Sequence, residues 1–278
     1  MGSSTVRQKK FGSDHGLIHE AVVTGRKVGA DEEFWKALTD EAMFRRVVRL
    51  VNGDDVPSGS ITPEEAAQIM GNNFHGVVAA ETQFGFRLNA KDKRTLLNVP
   101  FLAGVLQVCR ETHVLVPGLP LSIMDIYGKA SHAFNSSRNP WFAESGQEFA
   151  HTKVIPGWYL IRRNEVAGSR SKTWSEQKAV LVDPDFVPEA NLAAYAYVLH
   201  YVATGERIFS KAWVRTNSVA ADGNRVNLNG KWDGLRVNRW RHGGYRVHPF
   251  GGEDAIHSFW NSGRRSDDIG VASARKSN

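Results

Sequence analysis

The stretch GLRVNRWRHGGYRVHPF, Gly234 to Phe250, gathers side chains able to grip a polar partner. It holds Arg236, Arg239, Arg241 and Arg246, with His242 and His248, the aromatics Trp240, Tyr245 and Phe250, and no acid. Guanidinium groups bring planar, forked donors and aromatic rings bring apolar area, a pairing that dominates the energetics of interfaces. The same composition suits nucleic acid, with arginines on phosphates and rings on bases. A solvated strand face, or rings packed between strands, is the plainer alternative. Leu235, Val237 and Val247 supply the alternating apolar frame of a strand with one buried face.

Other chemistries find less support. Ten histidines prompt a search for metal ligands. His15 and His19 have helical i, i+4 spacing, yet no HExxH or downstream ligand accompanies them. His242, His248 and His257 have no acid pair to fix a geometry, and His200, in an apolar helical run, reads as a hydrogen-bonded core histidine. Cys109 is the single cysteine, so no internal disulfide forms, and it reads as a small apolar core residue. Neither a GxSxG elbow, a phosphate-binding loop nor a dinucleotide fingerprint occurs. The two acids of DPDF, Asp183 to Phe186, lack the rest of a calcium loop, and Asp267 with Asp268 reads as a turn. No catalytic residue, metal or cofactor is expected, and a non-enzymatic role follows.

The elements that must position the arginine-rich stretch divide into two regions. With 278 residues, 41% of them hydrophobic, the chain can fill one large domain or two ordinary ones. Its 35 Lys and Arg against 29 Asp and Glu give a mild net charge of +6, which permits weak attraction to anions. The polar start MGSSTVRQKKFGSDHG has no signal-peptide core, and no run reaches membrane-spanning length. The expected location is cytoplasmic or virion-associated, with surface display by a non-classical route as the alternative.

Residues 1–150 read as a mainly helical domain with a flexible start. DEEFWKALTDEAMFRRVVRLV spaces its apolar residues for one helical face. In ITPEEAAQIMG, Thr62 caps, Pro63 takes the first helical position, Glu65 completes a capping box and Gly71 stops the helix. AKDKRTLLNVPFLAGVLQVC is helical around Pro100, which starts a new helix or kinks one. HVLVPG and LSIMDIYG read as short strands or extended segments, and Gly128 to His151 as an ordered loop or linker. From 151 to 278 the order is different. GWYLIRR is a strand, SKTWSEQKAVLV a short helix capped by Ser171, and EANLAAYAYVLHYVATGERIF a buried helix ending at Gly205. KAWVRTNSV, NRVNLNG, GLRVNRW, GYRVHPF and IGVASARK are short strands between Asn, Asp and Gly turns. Trp158 and Trp174 belong to the core. The fold class is α+β with mostly antiparallel strands.

From about Gly157 onward this ordered set of segments resembles the variable proteins of diversity-generating retroelements. The segments carrying the resemblance are GWYLIRR, TWSEQKAVL, VLHYVATGERIF, AWVRTNSV, NRVNLNGKWDGLRVNRWRHGGYRVHPF and RRSDDIGVASARK. The resemblance implies a C-type lectin fold over 151–278, in which IGVASARK pairs back near GWYLIRR. It also implies that a hypervariable ligand-binding surface lies between about 225 and 265. In that family adenines of a template are miscopied, so AAC codons come to encode most residues but never Lys, Glu, Gln, Met, Trp or a stop. Between Arg225 and Arg265 only Lys231, Glu253, Trp232, Trp240 and Trp260 fall in that excluded set. The candidate ligand-binding residues are Asn227, Asn229, Arg236, Asn238, Arg239, Trp240, Arg241, His242, Tyr245, Arg246, His248, Phe250, Phe259, Trp260, Asn261 and Arg264. The implied partner is a macromolecule, foremost a protein, with a nucleic acid bound through the basic and aromatic face as the alternative. A third class, an enzyme resembling sulfatase-modifying proteins of lectin-like fold, would need a role for Cys109 or His200.

Overall fold

Thr62 opens a helix as its sequence requires. Its hydroxyl accepts from the Glu65 amide at 3.1 Å, while the Glu65 carboxylate accepts from the Thr62 amide at 2.8 Å. With Pro63 in the first turn and Gly71 closing it at a positive φ of 56°, α1 runs Pro63–Met70. The computed structural model describes residues 35–36, 59–135, 140–230, 234–239 and 265–276. The chain divides into a unit of residues 1–57, of which only the helical Trp35 and Lys36 are described, and a unit of residues 58–278. The expected helix over 31–51 otherwise falls outside the described residues.

In the second unit, α2 (Val77–Phe84), α3 (Ala90–Thr95) and α4 (Ala103–Cys109) follow α1. Pro100 lies in the break between α3 and α4, beside Val99, which bridges to Ile61. Strand β1 is His113–Gly118, as the sequence suggests, but LSIMDIYG is not extended. Ser122 and Asp125 form a second capping box, and Ile123, Ile126 and Ala130 bury one face of helix α5 (Ile123–Ala130). The segment read as a loop contains 3-10 turns at Ser131–Ala133 and Trp141–Ala143 and helix α6 (Glu148–His151), held by the buried Phe134, Phe142 and Phe149.

Strand β2 is Gly157–Arg162. Helix α7 (Trp174–Ala179) is capped by Thr173 and not by Ser171, because Thr173 has Glu176 three residues on to complete a capping box. Ser171 instead takes a positive φ of 55°. After β3 (Asp185–Phe186) comes α8 (Ala190–Thr204), apolar nearly all round and closed by Gly205 at φ 75°. Strands β4 (Trp213–Val219), β5 (Arg225–Asn229), β6 (Arg236–Arg239), β7 (Ile269–Val271) and β8 (Ala274–Arg275) complete the described elements.

Among the described residues two four-stranded sheets form, ordered β1-β2-β8-β3 and β6-β5-β4-β7. Every pairing is antiparallel except β4 with β7. The α+β class is therefore met. Helix α8 packs on β1 of the first sheet and on β4 and β5 of the second, so its side chains, Tyr195 and Tyr197 among them, form the common core. Arg275 and Ala274 pair with Leu160 and Ile161 of β2, which brings IGVASARK back to GWYLIRR. A domain boundary at 150/151 would fall inside the second unit, since β1 pairs along its whole length with β2. Trp158 and Trp174 are buried, and Cys109 is buried with its thiol pushed up by desolvation. Among the described residues no helix is long and apolar enough to cross a membrane.

Candidate ligand-binding face

Strand register sorts the second sheet into two faces. Val214, Val226, Leu228 and Val237 are buried on the side of α8. Alternation turns their neighbours the other way. Asn227 lies opposite Arg215 on β4 and Asn238 on β6, and Asn229 lies opposite Arg236. Four of the candidate residues, Asn227, Asn229, Arg236 and Asn238, therefore share one face with Arg215 and Arg225. Arg239 pairs with Val226 on β6. Trp240, Arg241, His242, Tyr245, Arg246, His248, Phe250, Phe259, Trp260, Asn261 and Arg264 lie outside the described residues.

Exposure rises across the face toward its edge. Asn227 and Asn229 are only 2% and 3% exposed, so replacing them changes packing. Arg236 is exposed and Asn238 half-buried. The buried side of the face is a fixed polar layer that the sequence alone does not single out. Arg215 donates to Gln177 Oε1 at 2.8 Å and to the Lys172 carbonyl at 3.3 Å, and burial with the nearby Arg225 pulls its pKa down to about 10. The Arg225 guanidinium lies 3.9 Å from the centre of the Trp174 ring, and donates to the Asn217 carbonyl at 2.9 Å. Asn227 Nδ2 donates to the Arg225 carbonyl at 3.2 Å, while its buried Oδ1 has no hydrogen-bond partner.

Strand β6 is held through its backbone. The Leu235 amide donates to the Ala133 carbonyl at 2.8 Å, the Asn135 amide to the Leu235 carbonyl at 2.9 Å, and Trp141 Nε1 to the Val237 carbonyl at 2.7 Å. Gly234 permits that approach: at φ 142° a Cβ there would sit 2.8 Å from the Asn135 nitrogen and 2.9 Å from the Ala133 oxygen. These contacts are made through the backbone of Leu235 and Val237. Trp141→Phe, which keeps a smaller aromatic ring at this half-buried position and removes the donor, should cost about 1 kcal/mol. Amides of the β5–β6 pair should then exchange with solvent roughly fivefold faster, and unchanged exchange would show that the ladder alone holds β6. The sole sequence hint of this role is that aromatics scattered through a polar, aperiodic stretch must be buried somewhere.

The far end of the arginine-rich stretch is fixed as well. Arg265 Nη2 meets Glu176 Oε1 at 2.6 Å and the Ser171 amide donates to the Ser266 carbonyl at 2.6 Å. Bonds from the Thr173 amide and hydroxyl, with Arg265 beside them, hold the Glu176 carboxyl down at about 2. Arg239 and Arg265 thus stand on fixed elements, β6 at one edge of the sheet and the approach to β7 at the other.

A second polar cluster lies away from this face. His75 Nε2 and His200 Nδ1 share a hydrogen bond of 2.9 Å, and Glu206, bonded to Arg163, lies 3.6 Å from His200 Nε2. Burial, then the neighbouring His200, pushes His75 down to about 4. Burial and Arg163 do the same to His200, against the opposing pull of Glu206. The core histidine expected at 200 is thus present with a partner 125 residues away. His113 is also pushed down to about 4, by burial and Arg162. No three His, Cys, Asp or Glu residues among those described are arranged to hold a metal. No protein-family model, curated protein or solved structure matches the chain.

Proposed function

We propose that this chain is a non-enzymatic ligand-binding protein with a C-type-lectin-like fold over its C-terminal half. Its binding surface, at about 225–265, is diversified by a retroelement so that different copies take different macromolecular targets. The observation that carries this most strongly is the fastening of Leu235 and Val237, through their backbone groups, to Ala133, Asn135 and the Trp141 indole, with Arg236 and Asn238 on the face they share with Asn227 and Asn229. A strand held this way accepts new side chains without opening cavities or stranding buried polar groups. Arg, Asn, Tyr and His suit such a surface because they join apolar area to hydrogen-bonding ends. The buried Asn227 and Asn229 would serve as its floor, with Arg236, Asn238 and the residues beyond them making contact.

Sequencing the 3′ end of this gene and its flanks across the source population tests the proposal. Substitutions confined to adenine-templated codons between Arg225 and Arg265, beside a near-duplicate template, are the expected result. Codons for Trp232, Trp240, Trp260, Lys231 and Glu253 should stay constant. A uniform 3′ end with no template copy would remove diversification and leave an ordinary binding domain.

A further inference from the structure

The buried histidine pair lies away from the binding face, yet hydrogen bonds tie it to the strand beneath that face. His200 is fully buried in α8, and its Nδ1 shares a 2.9 Å hydrogen bond with His75 Nε2. Its other nitrogen, Nε2, is buried without a hydrogen-bond partner and lies 3.6 Å from Glu206 Oε2. That same oxygen accepts from the Arg163 guanidinium, so one carboxylate oxygen stands between two nitrogen donors. A carboxylate beside Nε2 keeps the neutral ring's proton there and leaves Nδ1 to accept from His75. The chain after Glu206 is short and tethered. Gly205 ends α8 at a positive φ of 75°. The Phe209 amide donates to the Arg163 carbonyl at 2.6 Å, and the Phe209 carbonyl accepts from the Gly230 amide at 3.0 Å. Gly230 is the residue after β5, the strand of Asn227 and Asn229.

We infer that Glu206 is an acid-operated latch: when His200 takes up a proton, the carboxylate is drawn to it and the segment 205–209 shifts, loosening the end of β5. A proton added at His200 Nδ1 meets the N–H of His75 across 2.9 Å, so the rings part or His75 moves its own proton to Nδ1. Either way a cation stands in the core, where it must be paired. Glu206 is half-exposed and free to turn inward. Closing 3.6 Å to the ~2.8 Å of a charge-assisted hydrogen bond moves Oε2 about 0.8 Å toward His200. Arg163, bonded to that oxygen, must follow or let go, and Phe209 hangs from the Arg163 carbonyl. Burial keeps the pair neutral at pH 7, with Arg163 opposing the charged form of His200 and Glu206 favouring it. Charged groups on the elements packed around the pair turn elsewhere. Glu81 of α2 holds Leu88 and Lys93, His113 of β1 meets Thr112, and Asp125 of α5 caps at Ser122. Arg215 of β4 is bonded to Gln177, Arg225 of β5 covers Trp174, Arg207 lies over Tyr201 and Arg110 pairs with Glu111. Lys129, His132, Glu148 and His151 are exposed. The consequence for a ligand rests on the binding reading above: with β5 loosened, the grip of its face on a target weakens in acid.

The test is an NMR titration of the full chain from about pH 7.5 to about pH 4.5, the range over which histidines change charge. The His200 ring signals and the amides of Phe209 and Gly230 should shift together, with one midpoint between about 4 and 6.5. Amides of the β1–β2 ladder should stay in place over the same steps. A displaced form in which His200 recovers its ordinary proton affinity gains about twentyfold over the latched form between about pH 7 and about pH 5. Glu206→Gln keeps an acceptor for Arg163 but removes the charge that pairs with His200, and should cut both amide shifts about fivefold or more. Amides that stay still while the ring titrates, shifts that persist in Glu206→Gln, or loss of the whole spectrum at once with no earlier local movement overturns the inference. The titration needs no ligand, so a still segment removes the latch and leaves the binding face, whereas an invariant gene end removes diversification and leaves the latch.

Discussion

At about pH 5 the folded chain is expected to be about 5 kcal/mol less stable than at about pH 7, through three buried histidines. His75, His113 and His200 are each held near 4 in the folded state, against an ordinary value of 6.5. A histidine depressed in the folded state binds fewer protons there than in the unfolded chain. Its contribution to stability is complete above 6.5 and is lost as pH falls toward 4. Each such group gives about 2 kcal/mol over the interval from pH 7 to 5, at about 1.4 kcal/mol per pKa unit. His75 and His200 share one hydrogen bond and a proton on either opposes a proton on the other, so the folded pair resists protonation across this interval. Glu81 and Asp125 carry lowered pKa values through their amide bonds to Leu88 and Ser122, against a desolvation that acts the other way. Their contribution is present above the ordinary carboxylate range and is lost only below it, so it adds to acid unfolding at still lower pH. Urea unfolding at the two pH values reads the difference, and His113→Asn should remove about a third of it. Equal stability at both would mean that the three rings are charged or hydrated in the folded chain.

Gly230→Ala should cost about 3 kcal/mol, at the severe end of overpacking. A Cβ at Gly230 would stand 2.2 Å from the Ile208 carbonyl oxygen and 2.4 Å from Tyr197 Cε2. Neither neighbour can yield easily. Ile208 precedes Phe209, which is buried at a positive φ of 55°, and the Gly230 amide donates to the Phe209 carbonyl at 3.0 Å. Tyr197 is fully buried in α8. Because Gly230 directly follows β5, the strain falls on the second sheet as well as on the core. Gly128→Ala is the contrasting case. It lies inside α5 with nothing within 4 Å of the new methyl, and it should stabilise by about 0.5–1 kcal/mol. Thermal or urea unfolding of the two variants separates the outcomes, and a Gly230→Ala chain as stable as the parent would require the 208–209 segment to move freely.

Local rules made much of the fold legible. The Thr62–Glu65 box, the cap at Gly205, and the apolar runs HVLVPG and GWYLIRR each carry their instruction within a few residues, and the structure follows them. LSIMDIYG misleads because its β-branched and aromatic content suggests a strand, while the Ser122–Asp125 box, only four residues long, decides for helix. The stretch from 128 to 151 looks unstructured because its turns are too short to show a period, and its buried aromatics answer to each other, Phe134 to Phe142 and Phe149 to Trp141, and not to a helix or strand repeat. Of the candidate face, alternation in NRVNLNG and GLRVNRW is readable, and so are the side-chain types. The partners of that face are not readable. Nothing near Trp141 indicates the Val237 carbonyl, and nothing near His200 indicates His75. Such pairs exist only after distant segments have packed, so no local pattern encodes them.

The placement of β8 between β2 and β3 has a consequence for synthesis. Among the described residues β3 has no strand partner except β8, and β2 keeps an open edge until Ala274 and Arg275 arrive. Both earlier strands emerge from the ribosome long before the residues that join them. The first sheet therefore closes only after everything from Arg225 to Arg265 has been translated in frame. A copying error that shifts the frame or stops the chain within that stretch yields a product with two exposed strand edges, the kind of species that aggregates or is degraded. Completion of the first sheet thus acts as a read-through check on the second, passing forward only chains translated in frame to Ala274 and Arg275.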